Sequence, residues 1–540
     1  MIVLKADVCV VGGGPAGLSL ACSLAEVGVR VVLLEAEDNG LNSLDQTDPD
    51  NQDDPDNQDG EPGAGLRDCR YTPLDPIDFE PRPQRPEAGW PIRRADLDPW
   101  YARAQSLCGL GRFDYRPERW STAAAQPLPL DPALVQTQMF QVGPASVWTD
   151  LARKLAAQPN IVVLTDAQVT SLEADSTGSR VTTVHFLRSR GAHGMVGARC
   201  TVLAAGAIEN SRLLLLSDQE VRGGLGNAYD LVGRYWMEHP LVRGGLLLTP
   251  RSAGLGARLR LYDRHRPEGP GWDDPNRPGS SNWAAGNLGA TQVMAELSLN
   301  PERVRREGLL STSTVLLPRD DVLASPAVQA LTAWRSPSGR EASLLWRARW
   351  GARMAFGLRD LLAARRVSAR RPGPDEFGWA RRPGAERARV FEVVHQSEQS
   401  PEAENRITLG RDLDRRGLPV PKLHWQWSEA DRRRITRSRD LYALGFARAR
   451  LGAVIQGDWD AGRPRLIGGD HHHLGGTRMA SDPARGVVDT DVKVYGLANL
   501  FVTGSSVFPS SGSASPTLTV VALSLRLAAH LERVLTQLPL

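Results

Sequence analysis

The sequence predicts an α/β protein, and three observations at its N-terminus carry that expectation. Residues 7–11, Asp-Val-Cys-Val-Val, form a short apolar run that suits a buried parallel strand. The run leads directly into Gly12-Gly13-Gly14-Pro15-Ala16-Gly17, where Gly12, Gly14 and Gly17 have GxGxxG spacing. A helical pattern with Leu18, Leu20, Ala21 and Leu24 on one side follows, and then a second apolar run, Val31 to Leu34, closed by Glu35. Strand, glycine turn, helix, strand and terminal acid in this order make a Rossmann-like dinucleotide-binding crossover.

Each part of the crossover has a physical role. Gly12 permits the tight turn, Gly14 lets the backbone approach a pyrophosphate, and Gly17 lets the helix sit close to the strand. Pro15 and Ala16 open that helix, whose positive end then faces phosphate. Glu35, 23 residues after Gly12, stands where an acid would accept a hydrogen bond from a ribose hydroxyl. The crossover alone does not separate FAD from NAD.

The 540 residues are long enough for two or more domains. With 41% hydrophobic and 24% charged residues, global disorder and collagen-like repeats are excluded. A net charge of +3 gives no bulk reason to expect a nucleic-acid partner. The five cysteines are scattered and form no CxxC pair, so no thiolate metal site or disulfide framework is expected. No 18-residue uncharged apolar stretch occurs, so no membrane span is expected. The opening strand-like run, without a charged leader, makes a cytoplasmic, soluble protein the expectation.

The most informative stretch is 469–529. It contains His471-His472-His473-Leu474-Gly475-Gly476-Thr477, then Val502-Thr503-Gly504-Ser505, then Ser515-Pro516-Thr517-Leu518-Thr519 ahead of an apolar helical pattern. On these residues the chain resembles the glucose–methanol–choline (GMC) oxidoreductases, and most of all their pyranose-oxidase-like bacterial branch. Further similarity lies in Pro73-Leu74-Asp75-Pro76-Ile77-Asp78-Phe79, in Ala204 to Asn210, in Val232 to Pro240 and in Glu398 to Leu409.

The resemblance implies a GMC fold: a Rossmann-like FAD-binding domain plus an α+β substrate domain with an antiparallel sheet. The expected ranges are 1–240 with 466–540 for the first and 241–465 for the second. It implies FAD over NAD, and oxidation of a CH–OH group of a sugar-like or polyol substrate with hydride passed to flavin N5. Its site residues carry over as His473 for the general base, Ser515 for the second active-site position, and Val169, Ala207, Gly504, Ser505, Pro516 and Thr517 for cofactor contacts. The chemistry agrees: an imidazole that is neutral near pH 7 is a natural acceptor for an alcohol proton. A metal tract or merely structural histidines are the alternative readings of 471–473. Successive side chains in a regular strand alternate faces, which disfavours one metal held by all three.

The chain also departs from the family pattern. Ser515 stands where the family usually has His or Asn, so the general-base role rests on His473. Residues 61–72 lack both the family's Trp and any His, from which non-covalent FAD is expected. A tandem repeat, 48–53 and 54–59, lies in an acidic stretch; from 31 to 66 there are 11 acidic residues and no Lys or Arg. A solvated mobile loop over 45–61 is the plainer reading, a calcium loop a poorer one. An acidic lid that attracts a cationic substrate is the sharper reading, and it makes a dehydrogenase of an amino sugar or aminoglycoside-type intermediate an alternative function. A redox-neutral flavoprotein lyase and an inactive FAD-binding protein are alternatives of another class. Region 335–389 has 14 Arg against 5 acids, with Trp346, Trp350, Met354, Leu358 and Leu361 at helical spacing. A helical excursion packing on its own domain or a second subunit is expected there, ahead of contact with an anionic membrane. Trp272 and Trp283 are candidates for stacking on a sugar. Electron acceptor and oligomeric state are left open.

Overall fold

A computed structural model describes residues 2–36, 68–144, 146–188, 191–265, 292–335, 343–368, 388–455, 466–469 and 472–537. The acidic loop 45–61, residues 61–67, His471, Trp272 and Trp283 lie outside the described residues.

Two sheets organise the chain. The first has seven strands, and its parallel part runs Ile161–Leu164, Val31–Leu34, Ile2–Val11 and His193–Leu203. These are the near-continuous apolar strands expected of a sheet covered on both faces: residues 8–11 and 31–34 are buried throughout. Strand His193–Leu203 is longer than any single neighbour on its outer side. Residues 193–196 pair antiparallel with Val181–Leu187, which pairs in turn with Gln168–Ala174. Residues 201–203 pair parallel with Leu500–Val502. The C-terminal segment therefore returns to the first sheet and continues into helix Thr517–Gln537. That helix packs on Pro15–Glu26 and Arg94–Leu107, and the Tyr101 hydroxyl lies 2.8 Å from Thr519 Oγ1.

The second sheet has eight strands and is antiparallel. Its order is Ala453–Ile455, Pro240–Leu248, Val390–Ser397, Thr312–Arg319, Gln292–Leu299, Val135–Pro144 and Asp68–Tyr71, with Leu466–Gly469 also on Pro240–Leu248. Residues 244–248, 295–299 and 390–394 all lie in it. Helix Glu429–Arg448 covers one face. There the Tyr442 hydroxyl donates to Leu297 O at 3.2 Å and lies 2.9 Å from Thr312 Oγ1. Two strands of this sheet, 68–71 and 135–144, come from within 1–240 and one from 466–469. The chain thus crosses between sheets more often than a division at 240 and 466 provides for, because pairing follows backbone register and not chain order.

A buried ionic cluster joins the Pro73–Phe79 run to the antiparallel sheet. Glu398 takes Arg82 on one carboxylate oxygen at 3.1 Å and Arg85 on the other at 2.9 Å. Ser311 donates its hydroxyl to Asp78 at 2.7 Å and its N–H to Glu398 at 2.9 Å. All of these side chains are buried. Removing one partner would strand a charge, at a cost of about 3–5 kcal/mol. Burial, with Glu398 close by, raises the Asp78 carboxyl to about 7.

No helix among the described residues is long and apolar enough to cross a membrane. Cys9, Cys22, Cys108 and Cys200 are unbridged and buried. No metal-binding group of three or more His, Cys, Asp or Glu occurs among the described residues.

His395, inside the antiparallel sheet, gives a pH test of this packing. Its Nδ1 lies 2.7 Å from Thr314 Oγ1, and burial, reinforced by Arg439, pushes its pKa down from 6.5 to about 3. The folded chain keeps the ring neutral, whereas the unfolded chain protonates it below about pH 6.5. This contribution is present above that value and is lost as pH falls towards 3. Thermal unfolding at pH 7 and pH 5 should show wild type losing about 2 kcal/mol more on acidification than His395→Gln.

Candidate active site

The glycine turn is built by close backbone contact. Gly12 has φ +107°, and a Cβ there would lie 2.6 Å from Ala204 O, in the turn that follows the neighbouring strand. A Cβ on Gly17 would lie 1.9 Å from Gly12 O, so only glycine lets helix Pro15–Glu26 start this close to strand Ile2–Val11. At Gly14 a Cβ would meet nothing within 4 Å, so this side of the loop stays open. Pro15 opens the helix, and its first turn carries no acid that would repel an anion.

Glu35 stands at the loop's mouth. Its carboxylate accepts hydrogen bonds from the N–H of Gly13 and of Ala36. Its backbone is clamped by Leu164 O, which accepts from Glu35 N at 2.9 Å, and by Ala167 N, which donates to Glu35 O at 2.7 Å. Val169 follows this clamp at the start of strand Gln168–Ala174, with its side chain in the core. Any contribution from Val169 to a ligand therefore comes from its backbone.

The C-terminal segment closes the other side. Gly504 has φ +104°, and a Cβ there would find only Ala16 Cβ, at 3.7 Å. The Gly504 turn is thus held against the first turn of the nucleotide helix with an open face. Asn210, on helix Gly206–Leu216 next to the buried Ala207, ties these pieces together. It accepts from Ala205 N at 2.9 Å and donates to Ser506 Oγ at 2.9 Å. The residues present fit a dinucleotide: two glycine turns with open faces, a helix N-terminus between them and a carboxylate at the edge.

The histidine run is zipped to the same turn. Ser505 Oγ donates to His473 O at 2.6 Å, Gly475 N to Ser505 O at 3.1 Å and Thr477 N to Ser506 O at 3.0 Å. His473 is half-buried. Its ring lies 5.3 Å from that of Trp236, and its Nε2 is 3.6 Å from Glu238 Oε2. His472 turns elsewhere, its Nδ1 lying 3.0 Å from His239 Nδ1. Glu238, itself buried, accepts from His472 N at 2.9 Å and from His239 N at 2.7 Å on its other oxygen. Gln396 Nε2 donates to Ser513 O at 3.0 Å and lies 3.4 Å from His239 Nδ1. The contacts His472–His239, His239–Gln396 and Gln396–Ser513 thus link the histidine run to the start of the 513–517 run. Ser515 is buried there, and Pro516 O accepts from Val520 N as helix Thr517–Gln537 begins.

Comparison with known proteins supports a family for this arrangement. A family model described as GMC oxidoreductase matches residues 401–524, and one described as FAD binding domain matches residues 5–43. These matches support the GMC oxidoreductase family. The chain is 25% identical to the fructose dehydrogenase large subunit of Gluconobacter japonicus over 70% of its own length and 54% of that subunit. It is 22% identical to 2-methyl-1,2-propanediol dehydrogenase of Mycolicibacterium austroafricanum over 98% of its length and 95% of that protein. A match to C-glycoside 3-oxidase of Microbacterium trichothecenolyticum, at 34% identity, spans 25% of the chain and 26% of that oxidase. The chain thus spans about half of the fructose dehydrogenase subunit and about a quarter of the oxidase. A solved structure of formate oxidase from Aspergillus oryzae covers 99% of both chains, with a TM-score of 0.51 and 16% identity, and shares the fold.

Three residues of the candidate site escape sequence reasoning alone: Glu238, His239 and Gln396. The pair Glu238-His239 lies inside a family-like segment, yet only folding shows that its acid faces His473 from 235 positions away along the chain. Glu238→Gln keeps an oxygen for the two backbone N–H groups and removes the charge. With no carboxylate charge left 3.6 Å from the His473 ring, substrate-driven flavin reduction should slow by about tenfold or more while FAD stays bound. Stopped-flow absorbance and flavin content of the purified variant measure the two.

Proposed function

We propose that the protein oxidises a CH–OH group of a sugar-like or polyol substrate, with FAD held non-covalently and His473 as general base. The observation that carries this reading is the Ser505–His473 clamp, which fixes the imidazole to the same turn that faces the nucleotide helix. Gly12, Gly14, Pro15, Ala16, Gly17, Glu35, Gly504 and Ser505 would hold the cofactor's nucleotide part, and Ala207, Pro516 and Thr517 would contact its ring system. FAD, when bound, supplies the hydride acceptor.

The chain's own residues then handle the proton and the placement. His473 takes the hydroxyl proton, and the Glu238 carboxylate stabilises the imidazolium that forms. Ser515, which does not titrate in this range, offers a hydrogen bond to the substrate oxygen from a buried position. Trp236, against His473, supplies an apolar wall on one side of the imidazole. The names of the relatives, a fructose dehydrogenase, a propanediol dehydrogenase and a glycoside oxidase, support a polyhydroxylated or alcohol substrate.

Anaerobic mixing with sugars, polyols and amino sugars tests this directly, because an oxidised substrate bleaches the flavin's visible band. Bound product with no bleaching on turnover would favour a redox-neutral lyase. His473→Ala should slow the bleaching by about 10²–10⁴-fold with FAD retained, and His472→Ala should cost less. Acid precipitation should leave the flavin in the supernatant; flavin in the pellet would overturn non-covalent attachment. Ser515→Asn should change KM or the bleaching rate, and an unchanged pair would remove Ser515 from the reacting shell.

A further inference from the structure

The least explained surface lies far from this site in the sequence. Helices Leu344–Phe356 and Leu358–Ser368 form a hairpin that turns at Gly357, where a Cβ would lie 2.2 Å from Ala327 Cβ. That close approach seats the hairpin on helix Pro326–Arg335. On the same inward side the Arg347 guanidinium lies over the Trp334 ring at 5.0 Å. The outward side is different. Helix Leu344–Phe356 has no buried residue at all, Leu344 and Leu345 are each 84% exposed, and Phe356 is 94% exposed. Leu345, Arg349, Ala352 and Phe356 recur at helical spacing, so they share one face. Leu358 and Leu362, 59% and 58% exposed, extend the apolar surface onto the second helix.

The charge around these side chains has one sign. Residues 343–368 hold six Arg and one acid, Asp360. Arg349, Arg353, Arg359 and Arg365 are exposed, interleaved with the leucines and Phe356. A soluble surface rarely leaves large apolar side chains this bare without a partner. A second copy docked about a twofold axis would set these arginines against themselves. An anionic lipid surface meets both features at once: the apolar side chains enter the acyl boundary and the guanidinium groups stay at the headgroups.

We propose that the face of helices Leu344–Phe356 and Leu358–Ser368 carrying Leu345, Phe356, Leu358 and Leu362 with Arg349 and Arg353 docks the protein on an anionic lipid surface. The contact is peripheral and rests on neither the substrate nor the identity of the base.

The test is co-sedimentation of the full FAD-loaded chain with vesicles of phosphatidylcholine alone and of phosphatidylcholine with phosphatidylglycerol in equal parts. Binding is expected only to the second, weakened by salt as the Debye length shrinks to about 3 Å at 1 M. Arg349→Glu with Arg353→Glu should weaken partitioning by about tenfold or more. Phe356→Ser with Leu358→Ser and Leu362→Ser should weaken it by about a hundredfold. Both variants change exposed side chains, so their flavin content should match wild type. Failure of wild type to sediment with anionic vesicles, equal binding to neutral ones, or full binding by either variant would overturn the proposal. So would a wild-type dimer in sedimentation velocity that the triple-serine variant converts to monomer, since that result assigns the face to a second copy.

Discussion

The site depends on one strand having two partners on the same edge. His193–Leu203 lies beside Ile2–Val11 along its length, but on its other side it is shared between Val181–Leu187 and Leu500–Val502. Parallel pairing of 500–502 with 201–203 sets where Thr503 leaves the sheet and so where the Gly504 turn sits. From that register follow the approach of Gly504 to Ala16, the hold of Ser505 on His473 O and the start of helix Thr517–Gln537. A slip of one residue would turn every side chain of 500–502 to the opposite face. Asn210, bonded to both strand-end turns, guards against it.

Electrostatics around the candidate base is arranged through backbone geometry. Glu238 spends one carboxylate oxygen on two backbone N–H groups, from its own neighbour His239 and from His472, and presents the other towards His473. The acid is thus fixed by main-chain N–H groups that only a proline substitution would remove. His395 is the contrasting case. It lies in the core of the second sheet, where burial holds its ring neutral, and its contact with Thr314 is structural. The two imidazoles have different surroundings: one has a carboxylate beside it and the other has a dry sheet interior.

The Pro73–Phe79 run is held in place by groups that are costly to bury. Glu398, between Arg82 and Arg85, with Asp78 and Ser311 beside them, fastens the Pro73–Phe79 run to the antiparallel sheet. The same run supports the C-terminal loop. Ser510 donates to Asp78 O, Trp90 Nε1 donates to Ser510 Oγ, and a Cβ on Gly512 would lie 2.7 Å from an Asp78 oxygen. A buried ion pair is weak evidence for net stability but strong evidence for a specified geometry, since each charge tolerates few positions.

The sequence by itself determined what local chemistry can encode. The GxGxxG spacing, Pro15 and Glu35 made the crossover legible, because a tight turn, a helix start and a terminal acid are each decided within a few residues. The resemblance around His473 to Thr477 and Ser515 to Thr517 marked the candidate site, and the GMC oxidoreductase family model matches a stretch that contains both, residues 401–524. Only the tertiary structure decided which distant residues join them. Glu238, His239 and Gln396 reach the site through strand pairing across hundreds of residues, and strands 68–71 and 135–144 enter the second sheet through register that no local pattern states. The outward face of helices Leu344–Phe356 and Leu358–Ser368 is of the same kind. Helical spacing shows which side chains share a face, but whether that face is covered depends on what the rest of the chain packs against it, and here the packing surface of Pro326–Arg335 takes only the inner side.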